Sequence, residues 1–90
     1  MGVTVRIPAM FQPSTGGVKI TEVNGATVGE CLKQLATSFP DLRKMLFDEA
    51  DKLSGYLIVI LNGKNVEGDF YSIPVSAGDE IYPMILIEGG

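Results

Sequence analysis

Thr27-Val28-Gly29-Glu30-Cys31-Leu32-Lys33-Gln34-Leu35-Ala36-Thr37-Ser38-Phe39 carries one clear helical pattern, with two strand-like segments before it and three after. Val28, Cys31, Leu32, Leu35, Ala36 and Phe39 fall at i, i+3, i+4, i+7, i+8 and i+11. That spacing lays all six on one stripe of a helix. Thr27 and Glu30 form a capping box at its start: the Thr27 hydroxyl can accept from the Glu30 amide, and the Glu30 carboxylate can reach back to the Thr27 amide. Pro40 closes the pattern, and Leu42, Met45 and Leu46 allow a further turn or two over 41–47.

Upstream, Val3, Val5 and Ile7 alternate with Thr4 and Arg6, which predicts a half-buried strand. Val18-Lys19-Ile20-Thr21 alternates again, and the segment 9–17 between them, with Gln12, Pro13, Ser14, Thr15 and Gly16, reads as a loop. Downstream, Tyr56 to Leu61 is continuously apolar and predicts a strand buried on both faces or nearly so. Asn62-Gly63 is a strong hairpin turn, after which Lys64-Asn65-Val66 pairs back. Residues 68–77 look irregular, and Ala77-Gly78-Asp79 turns the chain into a last strand, Glu80-Ile81-Tyr82. Pro83 has no amide to donate, so pairing is expected to falter there. The expectation is therefore a domain over 1–82 and a flexible, extended tail over 83–90, reaching roughly 25 Å beyond the sheet.

A hairpin, a crossover helix and a second hairpin give an α+β fold, a mixed sheet with one main helix packed on one face. This order is the β-grasp arrangement of ubiquitin. Ninety residues, 46% apolar and 20% charged, make one globular domain and not a disordered chain. No apolar run approaches the eighteen or so residues of a membrane span. The N-terminus has no basic region followed by an apolar core, and the single cysteine excludes an intramolecular disulfide, so a cytoplasmic protein is expected.

The net charge is −4 and the seven Lys and Arg are scattered, which argues against nucleic acid and for a partner with a basic face. The absence of histidine removes the commonest general base and metal ligand. Asp48, Glu49 and Asp51, with Glu67 and Asp69, do not follow a calcium-loop spacing. Cys31 sits in the first helical turn, which favours a thiolate, but it also lies on the apolar stripe, where a core thiol is expected. No catalytic residue and no metal site is expected.

The remaining signal is the end of the chain. Met84-Ile85-Leu86-Ile87 is consecutive and uncharged, an aggregation hazard in water but well suited to an apolar groove on a partner. Gly89-Gly90 follows, the thinnest peptide end available and one able to enter a narrow active site. Two terminal glycines arise by chance in roughly one chain in two hundred, so a functional reading is preferred. The working group would be the Gly90 carboxylate. A carboxylate is a poor electrophile and must first be activated, as by adenylation with ATP. The chain has no phosphate-binding loop, so a separate enzyme would do this, with Gly90 as its substrate.

These residues together resemble the β-grasp sulfur carriers, the family that includes the small subunit of molybdopterin synthase, the thiamine-pathway carrier and the carrier of an alternative cysteine biosynthesis. The matching pieces are Val3 to Pro8, Thr27-Val28-Gly29-Glu30, Leu61-Asn62-Gly63, Ala77-Gly78-Asp79-Glu80-Ile81 and Gly89-Gly90. The Val3–Pro8 stretch followed by Pro13 and Thr15-Gly16-Gly17 is similar to the cysteine-pathway carrier, which favours that branch over the molybdopterin cofactor.

The resemblance implies a carrier with no bound cofactor, monomeric when free, and not itself an enzyme. An adenylating, E1-like partner would use ATP and a sulfur donor to convert the Gly90 carboxylate to a thiocarboxylate. The sulfur would pass to a pyridoxal-phosphate cysteine synthase or to a molybdopterin synthase large subunit. In the latter case the chain would be the small subunit of a sulfur-transferring synthase. Gly89 and Gly90 would enter partner active sites, and Met84, Ile85, Leu86 and Ile87 would dock. Two other readings remain open: a ubiquitin-like modifier conjugated through Gly90, and a non-catalytic interaction domain.

Overall fold

The computed structural model describes residues 2–86. Helix α1 runs Val28–Ser38, where the apolar spacing puts it, and Thr27 Oγ1 accepts from the Glu30 amide at 3.1 Å. The other half of the box differs. The Thr27 hydroxyl itself turns to the Glu30 carboxylate at 3.3 Å. The backbone at this end is tied to the irregular segment: Val28 N donates to Ile73 O at 2.9 Å, and Val75 N to Ala26 O at 3.0 Å. Val28, Cys31, Leu32, Leu35 and Ala36 are buried on one face. A 3-10 turn, Pro40–Leu42, and the short helix α2, Arg43–Leu46, follow and bury Leu42 and Leu46.

Five strands form one sheet: β1 (Val3–Arg6), β2 (Ile20–Val23), β3 (Leu57–Leu61), β4 (Lys64–Val66) and β5 (Glu80–Ile85). Their order is β2-β1-β5-β3-β4, with β1 and β5 parallel and the other pairs antiparallel. A sheet of mixed sense with α1 on one face is the expected β-grasp architecture. The core lies between them, with Val3, Val5, Val23, Val59 and Ile81 from the sheet meeting Leu32, Leu35, Leu42 and Leu46.

Four expectations are corrected. The segment after β1 is not an open loop but a 3-10 helix, Ala9–Thr15, that buries Phe11 completely. Its polar residues bond locally: Gln12 Nε2 donates to Ile7 O at 3.1 Å, and the Thr15 hydroxyl bonds to Val18 O at 2.9 Å. Strand β2 begins at Ile20, and the register Val3↔Val23 turns Val23 inward while Ile20 lies 62% exposed on the opposite face. Strand β3 is fully buried on one side only, at Leu57 and Val59; Ile58 and Ile60 are half-buried, because helices cover a single face of the sheet.

The fourth correction concerns Pro83. The sheet does not break there. Pro83 is fully buried opposite Val59, and β5 continues to Ile85 opposite Leu57. Bonds from Asn62 N to Glu80 O and from Leu86 N to Tyr56 O, both 2.9 Å, fix the alternation along this antiparallel pair. Even-numbered β5 residues exchange hydrogen bonds with β3, and odd-numbered ones turn their backbone toward β1. The β1 pairing reaches only Ile81, so the missing amide of Pro83 faces a side with no ladder left to complete. The domain boundary expected after 82 therefore moves to at least Ile85.

Candidate functional site

Ile87, Gly89 and Gly90 lie outside the described residues. The structure shows the frame that leads to them. Leu86 is 55% exposed, and its amide is held by the Tyr56 carbonyl at the far end of β3. Met84, Ile85 and Leu86, expected as one docking peptide, are not equivalent. Ile85 packs against the core, and its amide meets the Met10 thioether sulfur at 3.4 Å. Met84 points to the open face, opposite Ile58, and two residues earlier Tyr82 lies opposite Ile60.

That open face is the feature sequence reasoning missed. Ile58, Ile60, Tyr82 and Met84 form two adjacent apolar cross-strand pairs on the side of the sheet away from α1. Ile20 extends the face across β1, and Arg6 lies over the Tyr82 ring, 5.6 Å from its centroid. Arg6 also reaches Glu80 at 4.0 Å, an exposed pair that contributes little to stability. A signal was present: Ile58 and Ile60 occupy alternate positions of an apolar strand, and one main helix can cover only one face.

Cys31 is fully buried, and burial, followed by the nearby Glu30 charge, pushes its thiol up to about 11. Native protein at pH 8 is expected to resist alkylation by iodoacetamide, with full modification only after denaturation. Rapid native labelling, followed by mass spectrometry, would contradict this placement.

The Asn-Gly and Gly-Asp-Glu segments that carry the resemblance prove to be one structural clip. Asn62, at φ 51, sends Nδ2 to Asp79 Oδ1 at 3.1 Å and takes the Glu80 amide on Oδ1 at 2.8 Å. Ser76 N donates to the other Asp79 oxygen at 2.8 Å. The Ser76 amide, then the Asn62 side chain, hold the Asp79 carboxyl below its ordinary value of 3.8. A carboxyl lowered on folding stabilises the protein above its unfolded pKa. This contribution is present above pH 3.8 and is lost as pH falls through the lower folded value. Asp79→Ala is expected to remove this part of the acid dependence; urea midpoints measured at descending pH would show it, and an unchanged acid limb would contradict it.

Among the described residues no group of three or more His, Cys, Asp or Glu is placed to hold a metal ion, and no helix is long and apolar enough to cross a membrane. Asp48 uses a carboxylate oxygen on its own loop, accepting from the Ala50 and Lys52 amides at 2.9 and 3.0 Å.

Residues 5–89 match the ThiS family. The chain is 27% identical over 93 aligned positions to the sulfur carrier protein CysO of Mycobacterium tuberculosis, covering 100% of both chains. Among solved structures it is similar to CysO in the BexX/CysO complex of Amycolatopsis orientalis, at 31% identity and TM-score 0.81 over 98% of this chain and 99% of that one. SAMP1 of Haloferax volcanii shares the fold, with TM-score 0.85, 24% identity and 100% of both chains covered. A match over nearly the whole chain, on a sheet and helix of the expected order, shows that this chain belongs to the ThiS family.

Proposed function

We propose that this protein is a sulfur carrier whose working group is the Gly90 carboxylate. The observation that carries the reading is the family match running to residue 89, on a frame whose last strand leads to Leu86, exposed beside an uncovered apolar face. The carboxylate would attack the α-phosphorus of ATP on a separate adenylating enzyme, releasing pyrophosphate. Hydrosulfide from the sulfur donor would then attack the acyl carbon and release AMP and a proton, leaving a thiocarboxylate. ATP and the sulfur donor belong to that partner.

Docking falls to the open face of Ile58, Ile60, Tyr82 and Met84 together with Leu86 and Ile87, while Ile85 anchors the strand to the core. Gly89 and Gly90 enter the partner's active site. The acceptor we favour is a pyridoxal-phosphate cysteine synthase, supported by the end-to-end similarity to CysO. A molybdopterin synthase large subunit is the next candidate. One chain of the complex of subunits 1 and 2 of the molybdopterin-converting factor of Helicobacter pylori shares the fold, at TM-score 0.64 and 19% identity. We place the free protein as a cytoplasmic monomer.

A second reading, a modifier joined to lysine through Gly90, draws support from the small archaeal modifier protein 1 of Methanosarcina acetivorans, at 25% identity and TM-score 0.83. Incubation with ATP and extract of the native cells separates the two. The carrier reading expects no higher-mass species that survive denaturant and reductant; a ladder of such conjugates, lost on removal of Gly90, would overturn it in favour of the modifier.

A further inference from the structure

The β4 edge of the sheet is incomplete. Because even-numbered β3 residues bond to β5, the odd-numbered ones turn their backbone groups to the β4 side. Leu61 and Val59 meet Lys64 and Val66 there, but no strand residue stands opposite Leu57. The Leu57 amide turns to Ser54 O at 3.2 Å, leaving its carbonyl on the open side. Gly68, at φ 99, carries the chain away from β3 at the point where the ladder would have continued.

The space left is a cleft of about 650 Å³. It lies in the plane of the sheet, since both core-side residues (Leu57, Val66) and open-face residues (Ile58, Asn65) line it. Leu53 and Phe70, both packed on the core, add apolar wall. Its lip carries Asp51, Glu67 and Asp69 against one cation, Lys52. Asp51 is engaged by Arg43, and Asp69 caps the 3-10 turn Phe70–Ser72, so Glu67, which is exposed, is the carboxylate best placed for an incoming charge.

We propose that this slot takes one extended peptide strand from a partner protein, apolar at alternate positions and bearing lysine or arginine between them. The Leu57 carbonyl offers one main-chain acceptor to an incoming amide, apolar walls accept alternate side chains, and the acidic lip favours cations. The slot lies at the same end of β3 as Leu86, the last described residue, since Tyr56 O holds Leu86 N. A partner handling the tail would have this edge within reach, a link that rests on the carrier reading; the strand-binding itself does not.

The test uses the full chain and the blocked peptide acetyl-Lys-Val-Lys-Val-Lys-Val-Lys-amide, followed by amide NMR. Saturable shifts confined to Leu57, Ile58 and Val66 to Tyr71 are expected, with a dissociation constant of about 1 mM or tighter. Replacing every peptide lysine by glutamate, or Glu67→Lys in the protein, should weaken binding about tenfold. N-methylation along one peptide edge should abolish it. No saturation, shifts gathered on the open face instead, or equal binding of the acidic peptide would overturn the proposal. A chain ending at Glu88 should bind the peptide unchanged while losing activation. Peptide binding lost with activation intact would thus sink only the slot, and activation independent of Gly90 would sink only the carrier reading.

Discussion

A chain extended by one residue after Gly90, or shortened by removing it, is expected to unfold at the same temperature as the native protein and to show no ATP–pyrophosphate exchange with its adenylating enzyme. Both halves follow from where the structure ends its last strand. β5 is pinned by pairing through Ile85 and by the Leu86 amide on Tyr56 O, so changes at 89–90 remove no packed side chain. Activation, in contrast, needs the carboxylate carbon at one position relative to the α-phosphorus, and misplacement of even about 1 Å can cost about a hundredfold. Normal adenylation of the extended chain would defeat the carrier reading. Unchanged growth of cells carrying the shortened chain under sulfur limitation would instead favour a plain interaction domain.

Phe11→Ala is expected to destabilise the protein by about 3–5 kcal/mol, the range for deleting a fully buried phenylalanine. Phe11 has no exposed surface and is held by a 3-10 helix whose end is fixed by Thr15 and by left-handed Gly16 at φ 66. Denaturant titration at constant slope measures the change. A loss of less than about 1 kcal/mol would mean that 9–17 behaves as the detached loop its composition suggests.

The contrast between these two segments shows what the sequence exposes. Helix α1 was legible because six apolar residues repeat with the helical period and Thr27 and Glu30 mark its start. The β3–β4 hairpin was legible because Asn62-Gly63 satisfies a turn that needs positive φ at both positions, 51 and 83. The 3-10 helix was not, since one buried Phe11 among polar residues makes no period. Pro83 misled for a different reason. The rule against proline in a strand assumes a neighbour on each side, and whether β1 still runs alongside at that point is a matter of register. The open face was half legible: the apolar run Leu57–Leu61 showed that both sides of β3 are greasy, but which side the helix leaves bare depends on the fold.

The intact mass of the protein, purified without a carboxyl-terminal tag from its native cells, tests the central claim most directly. The account predicts a fraction heavier by the mass difference between sulfur and oxygen, mapped by fragmentation to Gly90 and removed by alkylation and mild hydrolysis. A single unmodified mass, unchanged after incubation with ATP, a sulfide source and cell extract, would contradict it.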